Sequence, residues 1–264
     1  IHRKEIKKEK KMDKNGNHIV MGLDVSTKTI GVCVLLNDST NYKKIIELTH
    51  ISPKIKEKVE NIEELCLKKR IFQDFIQQFK ESSIDEVIIE EPLLSSNNSL
   101  TVATLLRFNG MISDCIYSEF GIVPKYISSY NARKYSFPEL MAIRKYNKKG
   151  ETYDKNKIIK SIKESHLVLF GDYPWAIDKK TVIQQYVADI FPNIEWLYDK
   201  KGELKKENFD SCDAYVACLG YINMQEHGED TDKDFKITDI EIGDNKITYN
   251  VNYWNTSKQK ITYI

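Results

Sequence analysis

The sequence lacks long apolar runs and paired cysteines, and each absence excludes a class of protein. No run of about 18 apolar residues occurs, as a membrane-spanning helix would need. No apolar segment follows the Lys-rich start, as it would in a secretory signal. The five cysteines are odd in number and form no CxxC pair, which argues against a disulfide framework or a cysteine zinc site. We therefore expect free thiols packed in a core and a location inside the cell.

The net charge is also small, +1 at pH 7, but the charges are unevenly placed. Residues 1–14 carry seven basic side chains against three acidic, and residues 125–164 carry eleven against four. Residues 226–244 reverse the balance, with eight acids and two lysines. A Lys-rich segment can be a solvated face or can contact phosphates. Both interpretations stay open for the two basic blocks.

The stretch 18–36 predicts a buried strand, a tight turn and an antiparallel return strand. Two apolar, β-branched runs, 19–23 and 30–36, flank the polar turn 26–29, which is typical of a hairpin. Asp24 ends the first run, where an ionised carboxylate is costly to bury unless a cation meets it. Either Asp24 caps the turn through its side chain, or it is the first ligand of a metal site.

A second acidic position follows the run DEVIIEE at 85–91. Consecutive β-branched residues are typical of a strand in a parallel sheet, and Pro92 then takes the chain out of the sheet. Glu90 and Glu91 point to opposite faces, so at most one can share a pocket with Asp24. The alternative is an exposed acidic strand end. A polar loop follows, and Ser99 or Thr101 is expected to cap a helix that continues to about residue 120.

The third acidic position is a helix predicted over 208–219, NFDSCDAYVACL. Asp210 and Asp213 are three residues apart, so they lie on one helical face. Small and apolar residues between and after them favour close packing of this helix, which would direct both acids at whatever it packs on. As N-terminal acids they could instead simply complement the helix dipole.

The remaining pattern predicts one main domain with three additions. Residues 1–17 are expected to be a basic, flexible leader, residues 18–227 the main domain, and residues 228–264 a β-rich extension. Inside the domain, a helix is predicted from Pro53 to about residue 80, and another from 179 to 191. Between about 135 and 175, aromatic side chains alternate with lysines. That mixture suits nucleic acid, whose bases stack on rings, or a helical insertion with a satellite core, and both stay open.

Converging carboxylates would repel one another and take up protons unless divalent cations neutralised them. Carboxylate oxygens are hard ligands, which suits Mg2+ or Mn2+. A pair of such ions can activate water and stabilise the leaving oxygen of a phosphodiester. The order of the acids along the chain, with one on a first strand, one ending a later strand and two on a late helix, therefore predicts a nuclease-type metal site.

Three stretches together resemble the RuvC-like Holliday junction resolvases of the RNase H-like (retroviral integrase) superfamily. They are MGLDVSTKTIGVCVL, VIIEEPLLSSNNSLTVATLLRFNG, and KTVIQQYV followed by DSCDAYVACL. The resemblance runs from about residue 19 to 224. It implies an α/β, RNase H-like fold, in which a mixed five-stranded sheet is flanked by helices, here with a basic helical insertion and a C-terminal β-rich extension.

The resemblance also implies which residues form the active site. Asp24, Glu90, Asp210 and Asp213 match the catalytic, metal-binding carboxylates, which hold two Mg2+ or Mn2+ ions per active site. Glu91 is the less favoured second acid, because the family's glutamate matches the first of the pair. Many bacterial members carry His where Asp210 stands, the insertion is longer here, and the C-terminal extension has no recognised counterpart.

The implied function is that of a crossover junction endodeoxyribonuclease, which resolves four-way or other branched DNA. We expect a homodimer, because a two-fold substrate needs two matched cuts, in the cytoplasm or the compartment of a host cell that holds DNA, and no membrane partner. Only five arginines stand among 40 basic residues, a composition that suggests an AT-rich genome such as that of a phage or virus. The expected DNA contacts are Ser95, Ser96, Asn97, Asn98, Arg133, Lys134, Arg144, Lys145, Lys148 and Lys149.

Two rival functions remain at this stage. A non-catalytic protein that binds branched DNA would keep the basic residues and lose the acids, so the presence of all four acids counts against it. An ATP-binding fold of the sugar kinase and actin type also opens with a strand, an Asp and a hairpin. That fold needs a second phosphate loop and a Gly-rich adenosine motif, and the sequence has neither.

Overall fold

The computed structural model describes residues 17–38, 40, 43–92, 98–137, 142–143, 168–169, 179–227, 236–242, 247–253 and 256–263. The leader up to residue 16, the loop 93–97 and most of the insertion lie outside these residues. The predictions made for Ser95, Ser96 and Asn97 therefore stay predictions. The same holds for Arg144, Lys145, Lys148 and Lys149, and for the domain bounds.

Five strands form a mixed sheet in the order β3-β2-β1-β4-β5. The first three strands pair antiparallel, whereas β1 pairs parallel to β4 and β4 parallel to β5. This sheet, with helices on both faces, confirms the predicted α/β fold class and is consistent with an RNase H-like fold. The strands are β1 (His18–Val25), β2 (Ile30–Asn37), β3 (Lys43–Ile51), β4 (Glu86–Glu90) and β5 (Lys125–Ile127).

Alternation along the strands divides the core into two layers. Met21 and Leu23 face one side, where they pack with Phe72 and Phe108 of the first two helices. Val20 faces the other side, where the remaining helices pack. Each face of the sheet is therefore apolar at every second residue, as the period of a strand requires. The helices are α1 (Asn61–Ile76), which continues into a 3-10 helix (Gln77–Ser82), α2 (Ser99–Phe120), α3 (Ser129–Ser136), α4 (Lys179–Ile190) and α5 (Asn208–His227).

The predicted start of the first helix is wrong. The helix begins at Asn61, not at Pro53, because only Ile55 and Val59 are apolar between residues 54 and 60, too few to bury a helical face. Helical spacing predicts Ile62 and Cys66 on the apolar side of this helix, but both are exposed. The other four cysteines are buried, and all five are free.

The cap of α2 is also corrected. The Asn98 side chain accepts the backbone N–H groups of Leu100 and Thr101 at 3.1 and 3.2 Å, so Asn98 is the N-cap and neither Ser99 nor Thr101 is. Asn is among the preferred residues at this position. The helix then runs to Phe120 and ends at Gly121, in the left-handed region with φ 67°.

The C-terminal residues form a separate antiparallel sheet, as their alternating pattern predicts. It consists of β8 (Lys236–Ile242), β9 (Ile247–Tyr253) and β10 (Thr256–Tyr263), in the order β10-β9-β8. Two short strands within the predicted insertion, β6 (Ala142–Ile143) and β7 (Val168–Leu169), pair in parallel. Of the helices in the described parts of the chain, none is both long enough and apolar enough to cross a membrane.

Candidate active site

Asp24 lies near the end of β1, on the sheet face that α5 covers. It is the register partner of Gly31 on β2. The turn after it is held by Ser26, whose hydroxyl donates to the Thr29 carbonyl at 2.8 Å and accepts the Thr29 N–H at 3.0 Å. The turn therefore does not require the Asp24 carboxyl, which is left available for the neighbouring acids.

Glu90 and Glu91 separate as the strand period predicts. Ile88 packs in the core layer beneath α5, so Glu90, two residues later, faces the same side. Glu90 is half-buried and interacts electrostatically with Asp24 and Asp213. Glu91 is exposed, and its N–H donates to the Ile127 carbonyl at 2.8 Å. Of this pair, Glu90 belongs to the acidic group.

Two glycines let α5 lie directly on the sheet. A Cβ at Gly22 would overlap the Ala214 carbonyl oxygen, and a Cβ at Gly31 would overlap that of Asp210. At these two positions the helix backbone therefore contacts the strand backbone directly. Because Gly31 pairs with Asp24, this close approach places Asp210 beside Asp24.

Asp210 is one of the acids whose charge acts on Asp24. Burial, then the charges of Glu90, Asp213 and Asp210, raise the pKa of Asp24. Asp210 is therefore close enough to Asp24 for its charge to disfavour a second ionised carboxylate.

Asp213 is buried, and each of its oxygens faces a cation. Lys180 of α4 donates to Oδ2 at 2.5 Å, and Arg133 of α3 has Nη2 at 3.9 Å from Oδ1. Helix α3 reaches this position because Gly220 of α5 packs against the backbone of Ala132, where a Cβ would overlap the Ala132 carbonyl oxygen. Arg133, predicted as a DNA contact, thus lies at the acidic group itself.

Lys180 is a member of the site that the sequence reasoning missed. It opens the stretch KTVIQQYV, but nothing in that local pattern distinguishes it from the adjacent Lys179. Its charge acts on Asp24 and Asp210 as well as on Asp213. The position of a long side chain from a separate helix depends on tertiary packing, so only the assembled fold identifies it.

The acidic group holds more negative charge than its two cations offset. Burial raises the pKa of Asp24 well above its usual range, and the charges of Glu90 and Asp213 raise it further. Burial, then the charge of Asp213, raises the pKa of Glu90 to about 7. Burial also raises the pKa of Asp210, against the opposing charge of Lys180. Each of these three shifts reports a carboxyl that lacks a sufficient counter-charge.

The donor chemistry of this group fits a hard divalent cation, although the side chains are not arranged around one. Four carboxylates with excess negative charge are the ligands that Mg2+ or Mn2+ prefers. As the side chains stand in the described residues, no three or more His, Cys, Asp or Glu are arranged to hold a metal ion. The Lys180 ammonium supplies positive charge at Asp213 instead.

Besides Arg133, two of the predicted DNA contacts, Asn98 and Lys134, fall within the described part of the chain. Asn98 caps α2, just after the loop 93–97 that follows β4. The Lys134 Nζ lies 5.7 Å from the Tyr135 ring centroid. Tyr135 and Phe137 are buried, and the Phe137 ring contacts that of Tyr186 at a centroid distance of 4.9 Å. For these two aromatic residues, packing in the core is the correct interpretation and base stacking is wrong.

Comparison with known proteins gives likeness only at the level of structure. No family model matches the sequence, and no curated sequence does. RuvC of Thermus thermophilus in complex with a Holliday junction substrate is 9% identical with a TM-score of 0.45, over 80% of this chain and 96% of that one. The yeast mitochondrial Holliday junction resolvase Ydc2 is 11% identical with a TM-score of 0.46, over 82% and 83%.

A different class of protein also appears among the similar structures. The Ppx/GppA family member of Aquifex aeolicus is 9% identical with a TM-score of 0.35, over 80% of this chain and 90% of that one. With every one of these TM-scores below 0.5, the likenesses carry no weight on function, which depends on the site itself.

Proposed function

We propose that this chain is a metal-dependent endonuclease that cuts four-way or other branched DNA. The single observation that carries the proposal is the gathering of Asp24, Glu90, Asp210 and Asp213, from three separate parts of the chain, on one face of the sheet. These four carboxyl groups are also largely buried, and their negative charge exceeds the positive charge near them. A group with that charge is costly in a folded protein unless it serves to bind cations.

The four carboxylates would hold two Mg2+ or Mn2+ ions. When bound, the ions supply Lewis-acid stabilisation of charge and activation of water in phosphodiester hydrolysis. Asp24 is held by strand pairing on β1 and Asp213 by burial in α5, so both are rigid. Lys180 and Arg133 stand at the edge of the same group, where each can meet a phosphate of the substrate.

The substrate and assembly rest on the sequence resemblance. Branched DNA is the substrate class of RuvC-like resolvases, and a homodimer provides two matched sites for a two-fold junction. The proposed DNA contacts are those of the loop after β4 and of the basic residues that begin with Arg133. In the sequence, residues 93–97 follow directly on Pro92, two positions after Glu90. Arg133 lies at Asp213.

The experiment is cleavage of a synthetic four-way junction in Mg2+, with the linear duplex of the same sequence as a second substrate. Wild type should cut the junction in preference to the duplex, and EDTA should abolish cutting. Asp24→Asn and Asp213→Asn should each reduce the rate by about 100-fold or more, because each removes a ligand charge from the site. Uncut junctions with wild type, or variants as active as wild type, would overturn the proposal.

A non-catalytic protein that binds branched DNA is the second candidate. The observation that favours it is the Lys180 ammonium on Asp213, together with the absence of a metal-ready arrangement among the described residues. Such a protein would shift a junction in an electrophoretic assay and leave it uncut at every Mg2+ and Mn2+ concentration.

A further inference from the structure

In the ion pair of Lys180 and Asp213, the lysine side chain can move more than the aspartate side chain. The Lys180 side chain is 43% exposed, whereas that of Asp213 is 3% exposed. Asp213 is fixed in a helix packed directly on the sheet, and lysine carries its charge on a flexible four-carbon stem. If the pair separates, the ammonium group moves and the carboxylate stays.

Lys180 also stands in the place of a divalent cation. Its Nζ lies 2.5 Å from Asp213 Oδ2, and its charge acts on Asp24, Asp210 and Glu90 as well. A metal ion that bound Asp213 through this oxygen would meet the ammonium at close range. Because like charges at such a distance repel strongly in a partly buried site, the metal and the ammonium compete for Asp213.

Arg133 does not compete in the same way. Its Nη2 is 3.9 Å from the other oxygen, Oδ1, which is beyond hydrogen-bond length. Arg133 can therefore remain while a metal ion binds, and Lys180 cannot remain in its observed position. The occupant that must leave is Lys180.

We propose that Lys180 is a built-in counter-ion that keeps Asp213 from metal until a DNA phosphate draws the ammonium away. This inference rests on the proposed nuclease function and names how its metal site is completed. Each charged group keeps a partner in this exchange, since the Lys180 ammonium pairs with the entering phosphate and the Asp213 carboxylate with the entering metal ion. Asp213 therefore binds a metal ion only together with the substrate. This coupling restrains the cutting of DNA that is not correctly placed.

The test is a calorimetric titration of Ca2+ into the metal-free, full-length protein, alone and with an equimolar four-way junction. Ca2+ accepts irregular oxygen coordination, and its binding is measured without relying on activity; the heat of Ca2+ binding to the junction alone is subtracted. Without DNA, Lys180→Gln should bind Ca2+ about tenfold tighter than wild type or better, because it removes a competing charge. Adding the junction should increase the Ca2+ affinity of wild type by a similar factor and should change the Ca2+ affinity of Lys180→Gln little.

Two further variants separate charge from other effects. Lys180→Arg keeps the positive charge and should resemble wild type without DNA. Lys28→Gln removes an exposed lysine from the nearby turn and should leave Ca2+ affinity within about twofold of wild type, since a solvated charge is screened. The wild-type comparison with and without junction does not depend on any variant folding.

The outcomes also separate this inference from the proposed function. Equal Ca2+ affinity of wild type and Lys180→Gln without DNA, or no tightening of wild type by the junction, would overturn the inference while junction cleavage still stood. If wild type and Asp24→Asn both failed to bind Ca2+ under every condition, and the junction stayed uncut in Mg2+, the nuclease proposal would fail as well.

Discussion

Gly31 and Asp210 touch through their backbones, so closely that a Cβ at Gly31 would overlap the Asp210 carbonyl oxygen. This contact fixes the start of α5 against β2. Gly31 is also the strand partner of Asp24, so one missing side chain brings two of the four acids together. The geometry of the site therefore depends on a residue that carries no functional group.

Gly31→Ala should consequently disturb both stability and the site. A methyl group there has only backbone in its way, so α5 must shift, and we expect a loss of about 2–3 kcal/mol in the free energy of unfolding together with a large loss of junction cleavage. The matched control is Gly110→Ala on α2, where an added Cβ meets nothing within 4 Å. That change should stabilise the helix by about 0.5–1 kcal/mol. Urea unfolding measures both, and equal effects of the two variants would contradict the close-contact account.

The metal-free protein should lose stability as the pH rises. Burial raises the pKa of Glu90 from 4.5 to about 7, so the folded state binds a proton that the unfolded state releases. Its stabilising contribution is complete below pH 4.5 and is lost as the pH rises through about 7. The expected decrease in unfolding free energy is roughly 1–3 kcal/mol.

Urea unfolding in EDTA at about pH 5 and about pH 8 measures this decrease. Mg2+ at the higher pH should restore stability, because a ligand that binds only the folded state stabilises it. Glu90→Gln should reduce the dependence of the unfolding free energy on pH, because it removes the group that titrates. A metal-free wild type whose stability rises between the two pH values would contradict the shared burial of these carboxyls.

The five thiols should react at two very different rates. Cys66 is exposed on α1, whereas Cys33, Cys115, Cys212 and Cys218 are buried. A maleimide added to the native protein should modify one cysteine quickly and the other four only after unfolding, because buried thiols are inert. Mass spectrometry after brief labelling counts them. Cys66→Ser is the control, and it should abolish the fast phase of labelling. Rapid modification of Cys212 or Cys218 would show that α5 does not pack as described.

Much of the fold was predictable because its signals are local. The hairpin at Asp24, the buried strand before Glu90 and the helix carrying Asp210 all have clear apolar periods. The choice between Glu90 and Glu91 follows from the two-residue period of a strand, combined with the family resemblance. These signals predicted the sheet and the order of its acidic positions, and the structure brings those positions together.

The remainder required tertiary information. Lys180 and Arg133 come from helices that are distant in sequence from the strands carrying Asp24 and Glu90, and no local pattern marks a lysine that will meet a buried carboxylate. The first helix begins at Asn61 and not at Pro53, because residues 54–60 carry too few apolar side chains to bury a helical face. Tyr135 and Phe137 suited bases and a core equally well on sequence alone. Their burial decides for the core, together with the ring contacts that Phe137 makes with Tyr186 and Tyr215.

The most direct test of the central claim is the rate of four-way junction cleavage in Mg2+ by Glu90→Gln and Glu91→Gln, measured side by side. The two variants make the same chemical change at adjacent positions, one facing the acidic group and one exposed. We predict that Glu90→Gln loses activity by about 100-fold or more and that Glu91→Gln stays within about twofold of wild type. Equal activities, or a greater loss for Glu91→Gln, would contradict the assignment of this site.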